Sequence, residues 1–306
     1  MTAQWVQLGG GETLIASSDG AWIQSPQAAA LELWGAMPPS LTGTLDATRL
    51  LLEGAIAAAE RGAAPTSLWP LTAPRWALDL VDQWYTAHHS VALLPVAIEN
   101  YERMERPELA AFARRKLEEE TGHDRLPLKD LDALGYDAEA VVREIGPGWT
   151  ARSLVDYARQ CVRGPRPVGF FGYVFALERR VIRISAHALR EIDDALPRNV
   201  DAASGVRAHA EEFDHEHVEE LVRFVSGLPG DDRTEIALAC HRTATILSAA
   251  PAHNRNQAKC ERRLSRLRRP ASGPKTRTNQ GGDNDPGPTD HQGPTAPSAG
   301  GGEGAR

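Results

Sequence analysis

Between residues 75 and 250, apolar side chains recur every three or four positions, the spacing of an α-helix with one buried face. The period carries "WALDLVDQWYTAHHSVALLPVAIENYERM" as one long helix, with a bend expected at Pro95 because proline lacks the amide and crowds the preceding turn. "PELAAFARRKLEEETGHDRLPLKDLDALG" opens on a proline suited to a first helical turn. Pro127 is expected to break or bend that helix, and Gly135 to close the short one that follows. "SLVDYARQCVR", "GFFGYVFALERRVIRISAHALREIDDAL", "SGVRAHAEEFDHEHVEELVRFVSGL" and "DDRTEIALACHRTATILSAA" supply four more segments. Long helices joined by short loops predict an all-α bundle over residues 75–250.

The two ends follow other patterns. "WVQLGGGETLIASSDGAWIQSP" has two short alternating runs around glycines and an Asp-Gly turn signal, which predict a β-hairpin. Two helical patterns follow it, "QAAALELWGAM" and "LDATRLLLEGAIAAAERGA". Residues 1–72 therefore read as a small α+β module, winged-helix-like in outline, or as an elaboration packed on the bundle. After residue 250 the chain is rich in Pro, Gly, Ser, Thr and Asn and poor in core formers, so residues 251–306 are expected to be a disordered tail.

Composition and charge narrow the function classes. The formal net charge of −7 excludes a globally basic nucleic-acid binder. Residues 251–306 hold ten Lys/Arg against five Asp/Glu, which leaves −12 for residues 1–250. Cys161, Cys240 and Cys260 lack metal-type spacing and are odd in number, so reduced thiols are expected. "MTAQWVQLGGGE" has neither a basic start nor an apolar run, and no stretch approaches the roughly 20 apolar residues of a membrane helix. A cytoplasmic protein with no membrane partner is expected. "LGGGE" opens no helix, so it is a turn and not a phosphate cradle.

Candidate chemistry lies on three of the predicted helices. Glu120 and His123 are three residues apart, about 60° around a helix, close enough to share one ion. Glu119 rivals Glu120 for that role. Glu178 interrupts an apolar, aromatic helix, and an unpaired buried carboxylate there would cost several kcal/mol. Arg179 or Arg180 could pair it, and so could a metal cation. In "RAHAEEFDHEHVEEL", His209, Glu212, Asp214, His215 and His217 fall within nine residues, with Asp214 and His217, and Glu212 and His215, each three apart. Carboxylates and imidazoles projecting into a bundle suit iron or manganese. His88 and His89, on the facing long helix, could orient a ligand or substrate. A ferritin-like arrangement would use Glu120–His123 and Glu212–His215 with Glu178, but the helix that should supply a further carboxylate carries His88 and His89.

Taken in order and separation, "EEETGHDRLPLKDLDALG", "GFFGYVFALE" and "HAEEFDHEHVEEL" resemble the haem-oxygenase-like di-iron oxidase and oxygenase superfamily, relatives of thiaminase II and pyrroloquinoline-quinone synthase. The resemblance covers residues 78–250 and implies a haem-oxygenase-like bundle of about seven helices. It implies two iron ions, with manganese as a substitute, on Glu120, His123, Glu178, Asp214 and His217, with His209 as the sixth ligand. The family's first histidine should fall at Ala210; His209 lies one position early, about 140° from Asp214 on a straight helix. A π-bulge near Glu212–Phe213 would absorb the extra residue; without it the second ion is held weakly or not at all. The implied activity is dioxygen-dependent oxidation of a small amino-acid-like or fatty-acid-like substrate in the making of a specialised metabolite. The N-terminal module weakly resembles a peptide-binding chaperone of modified-peptide pathways, which implies a peptide or carrier-protein partner. A homodimer is compatible with this reading. Two other classes stay open: a metal-free enzyme of the thiaminase and quinone-synthase kind, and a non-catalytic peptide-binding scaffold.

Overall fold

A computed structural model describes residues 3–25, 43–61, 71–183, 186–208, 214–249 and 256–269. The chain begins with three antiparallel strands, β1 (Gln4–Gln7), β2 (Thr13–Ser17) and β3 (Gly20–Gln24), in spatial order β1-β2-β3. The expected hairpin is thus a three-stranded meander. Gly10 and Gly11 adopt the left-handed conformation in the first connection, and Ser18–Asp19 make the tight second one. In register, Trp5 lies opposite Ile15 and Leu14 opposite Ile23. The predicted helix over residues 27–37 lies outside the described residues.

Helix α1 (Leu45–Arg61) lies on this sheet and along the last long helix of the bundle. Its Leu51, Leu52, Ala55 and Ile56 share one apolar core with Val6, Leu8 and Leu14 of the strands and with most of the bundle. Gln4 of β1 is buried, donates to Thr48 of α1 and accepts from the guanidinium of Arg233. Residues 1–72 therefore include no separately packed unit among the described residues: strands, α1 and bundle share a core.

The long helix α2 (Ala73–Arg103) starts with Thr72 accepting from the Arg75 amide and Pro74 in the first turn, where a proline loses nothing. It continues through Pro95, which is exposed, so its missing amide faces water. Helix α3 (Pro107–Glu120) ends at a turn in which Gly122 takes φ +95°. Pro127 does not end it; that proline sits in the first turns of α4 (Arg125–Ala133), which closes on Gly135 at φ +83° as expected. Then come α5 (Ala138–Glu144), capped by Asp137, and α6 (Trp149–Arg163). The predicted single segment over 169–196 forms two helices, α7 (Phe170–Ile182) and α8 (Ala186–Ala195). Likewise 204–228 holds α9 (Ser204–Ala208) and α10 (Asp214–Ser226), with 209–213 outside the described residues. Helix α11 (Gly230–Ser248) completes the bundle, and α12 (Gln257–Arg266) follows it.

Helix α12 corrects one expectation. The chain beyond 250 is not uniformly without structure: Leu264 of α12 is buried, and Arg268 bridges to Tyr136. Residues 270–306 lie outside the described residues. Leu264 belongs to a second apolar core built from the first half of α2 (Trp76, Leu80, Val81) with Leu131, Val141, Ile192 and Val206. Here Asp130 is buried and accepts from the Ser204 hydroxyl and from the Ser204 and Gly205 amides at the start of α9, which meets the demand of a carboxylate out of water.

Helices α7 and α11 approach closely at Gly172, where an added Cβ would overlap the Ile236 carbonyl oxygen and press on Ala239 Cβ at 2.8 Å. Gly172→Val is expected to cost about 3 kcal/mol, the scale of an overpacked core, read as a lowered midpoint in urea denaturation.

Candidate metal centre

Three helices meet at a polar cluster beside an aromatic stack. Phe112 of α3 stacks on Phe224 of α10 at 4.0 Å between ring centroids, and Phe171 of α7 packs edge-on to Phe112 and face-on to Tyr101 of α2. One turn beyond Phe112, on the same buried stripe of α3, stands Lys116. Its side chain is 1% exposed, and its ammonium lies 5.9 Å from the Phe112 centroid.

Each of the three helices turns a carboxylate toward that ammonium. Lys116 Nζ donates to Glu119 Oε2 of α3 at 2.7 Å. It lies 3.9 Å from Glu178 Oε1 of α7 and 4.0 Å from Glu220 Oε2 of α10. His217 of α10 joins from the side, with Nε2 3.7 Å from Glu119 Oε2. Glu220 is also bonded by Arg115 at 3.1 Å. Glu178 is 11% exposed, as its apolar neighbours predict.

The sequence expectations divide here. Glu178, Glu119 and His217, expected on three separate helices, come together around Lys116. Glu120 and His123 are also neighbours, with His123 Nδ1 2.9 Å from Glu120 Oε2, but not through helical spacing. Helix α3 ends at Glu120, and the turn at Gly122 brings the imidazole back. The sequence leaves Arg179, Arg180 or a metal cation open as the partner of Glu178; Lys116 Nζ lies 3.9 Å from its Oε1. Arg179 forms an ion pair with Glu53 of α1 at 2.5 Å, and Glu53 also pairs with Arg183. His88 is tied to Asp124 at 2.8 Å and stacks on Trp84; His89 packs edge-on to Tyr85, and burial holds its pKa below the ordinary value. His209 and Glu212 lie outside the described residues, as do the side chains of Asp214 and His215.

Lys116 and Glu220 were missed from sequence. A signal for Lys116 was present: Leu109, Phe112, Ala113 and Lys116 share the inward stripe, so the lysine occupies a core register. Glu220 follows His217 by one turn and faces the same way.

Carboxylates and imidazoles are the donor types for iron or manganese, and in kind these residues fit such an ion. Their described geometry is less accommodating. Among the described residues, no three His, Cys, Asp or Glu groups are placed to hold one ion, and the middle of the cluster belongs to an ammonium.

In comparison with solved structures, the chain matches a domain of unknown function with a heme oxygenase-like fold from Shewanella denitrificans OS217. The match covers 72% of this chain and 87% of that one, at 16% identity and a TM-score of 0.52. No family model matches the sequence, and no curated protein matches it. The chain thus has a haem-oxygenase-like fold, and its described residues include a small N-terminal sheet. No described helix is long and apolar enough to cross a membrane.

Lys116→Ala would leave the Glu119 and Glu178 carboxylates without their shared cation. A loss of about 3–5 kcal/mol is expected, the cost of breaking a buried charge pair, measured by urea denaturation in metal-free buffer at pH 7.

Proposed function

We propose that the chain is a non-haem, iron-dependent oxidase or oxygenase that uses dioxygen on a small amino-acid-like or fatty-acid-like substrate, in the making of a specialised metabolite. The observation that supports this reading is the convergence of Glu119, Glu178 and His217 from α3, α7 and α10 on one buried polar cluster in a haem-oxygenase-like bundle. The residues proposed to hold iron, or manganese in its place, are Glu120, His123, Glu178, Asp214 and His217, with His209 as a sixth. Bound iron would supply the redox and dioxygen chemistry. The chain's own part is to hold carboxylates and imidazoles ready, and to keep water out with the Phe112–Phe224–Phe171 stack. A peptide or carrier protein bringing the substrate would meet the edges of the N-terminal sheet.

Lys116 favours a second reading, a metal-free enzyme of the thiaminase and quinone-synthase kind. An ammonium already balances the carboxylates there, and such an enzyme needs no ion. One experiment separates the two. Anaerobic loading with Fe(II), gel filtration and iron analysis are expected to leave bound iron on the wild type and at least tenfold less on Glu178→Ala and His217→Ala. Exposure to air should then give a transient visible band, and incubation with amino and fatty acids an oxidised product by mass spectrometry. Iron-free wild-type protein after loading removes the oxidase reading and leaves the metal-free one.

A further inference from the structure

We propose that Lys116 is a built-in counter-cation occupying one cation position of the cluster, so that the chain binds at most one divalent metal ion there and not two. The inference rests on the metal-binding reading above and concerns its stoichiometry. Lys116 is as buried as the phenylalanine one turn before it, yet it ends in a charge. A lysine side chain is long enough to reach water from most helix positions, but this one stays inside, its Nζ within 4.0 Å of carboxylates from all three helices. Those carboxylates are what place it.

The charges in the cluster can be apportioned. Arg115 takes one oxygen of Glu220 at 3.1 Å, at the half-exposed edge. Lys116 is then shared chiefly between Glu119, at hydrogen-bond distance, and Glu178, at 3.9 Å. A pair of carboxylates that could bridge two divalent ions thus faces an ammonium, which has three donors and no lone pair to offer a metal. Like charges out of water repel more than in it, and the side chains of Lys116 and Glu178 are 1% and 11% exposed. Two divalent ions cannot be held there without displacing the ammonium.

The test is a metal count on the folded full-length protein. Metal-free wild type, Lys116→Met and Lys116→Gln are titrated anaerobically with Fe(II), and separately with Mn(II). Retained metal is then measured by elemental analysis after gel filtration. The expected result is no more than one equivalent per wild-type chain and one further equivalent in each variant. Two equivalents on the wild type, or no gain in folded variants, overturns the proposal. A gain from none to one upholds the role of Lys116 while removing the iron-dependent reading of the wild type; no metal on any of the three removes both. Should the variants unfold without metal, circular dichroism during Mn(II) addition decides. Recovered helicity supports the proposal, and failure to recover overturns it.

Discussion

A single desolvated charge organises the centre of this molecule. An ammonium out of water has no stable place unless carboxylates come to it, and one from each of α3, α7 and α10 does so. The requirement is directional. Each of the three helices must present one chosen residue to the same point, which fixes its rotation about its own axis more tightly than apolar packing would. The neighbouring rings accept the same rotations: Phe112, Phe171 and Phe224 come from those same three helices and meet within 5.5 Å of one another. Charge and aromatic packing therefore enforce one arrangement, and the cluster and the haem-oxygenase-like bundle stand or fall together.

Farther out, a separate set of ion pairs ties α1 to the bundle. Glu53 receives Arg179 and Arg183, Glu60 receives Arg183, and Arg49 pairs with Glu219 on α10. These contacts are partly exposed, so their worth lies more in register than in stability.

The helical region was legible because its apolar period is long and regular, and the period survives in α2, α3, α6 and α11. Breaks were harder to place. Pro127 is the expected break, yet α3 ends before Gly122, in a left-handed conformation, while Pro127 sits near a helix start. Helix α12 escaped notice because one buried leucine amid arginines carries almost no periodic signal. At the site, Glu178 stood out as the first charge after a long apolar run, and its burial followed. Its partner did not, since residues next to each other on a helix diverge by about 100° and Arg179 necessarily looks elsewhere. The cation came from another helix, α3, which no local pattern reports, although its place in a core register was a clue.

The pairing of α1 with α11 bears on how this polypeptide comes into being. Leu51, Leu52 and Ile56 close their core against Ile236, Ala237 and Ala244, nearly two hundred positions away in the chain. Contacts of such long sequence separation slow the search for the native state. On the ribosome, the apolar face of α1 must wait until the chain has grown on to α11 before that permanent cover emerges. For that interval the apolar residues of the strands and α1 lack the cover that the folded core gives them.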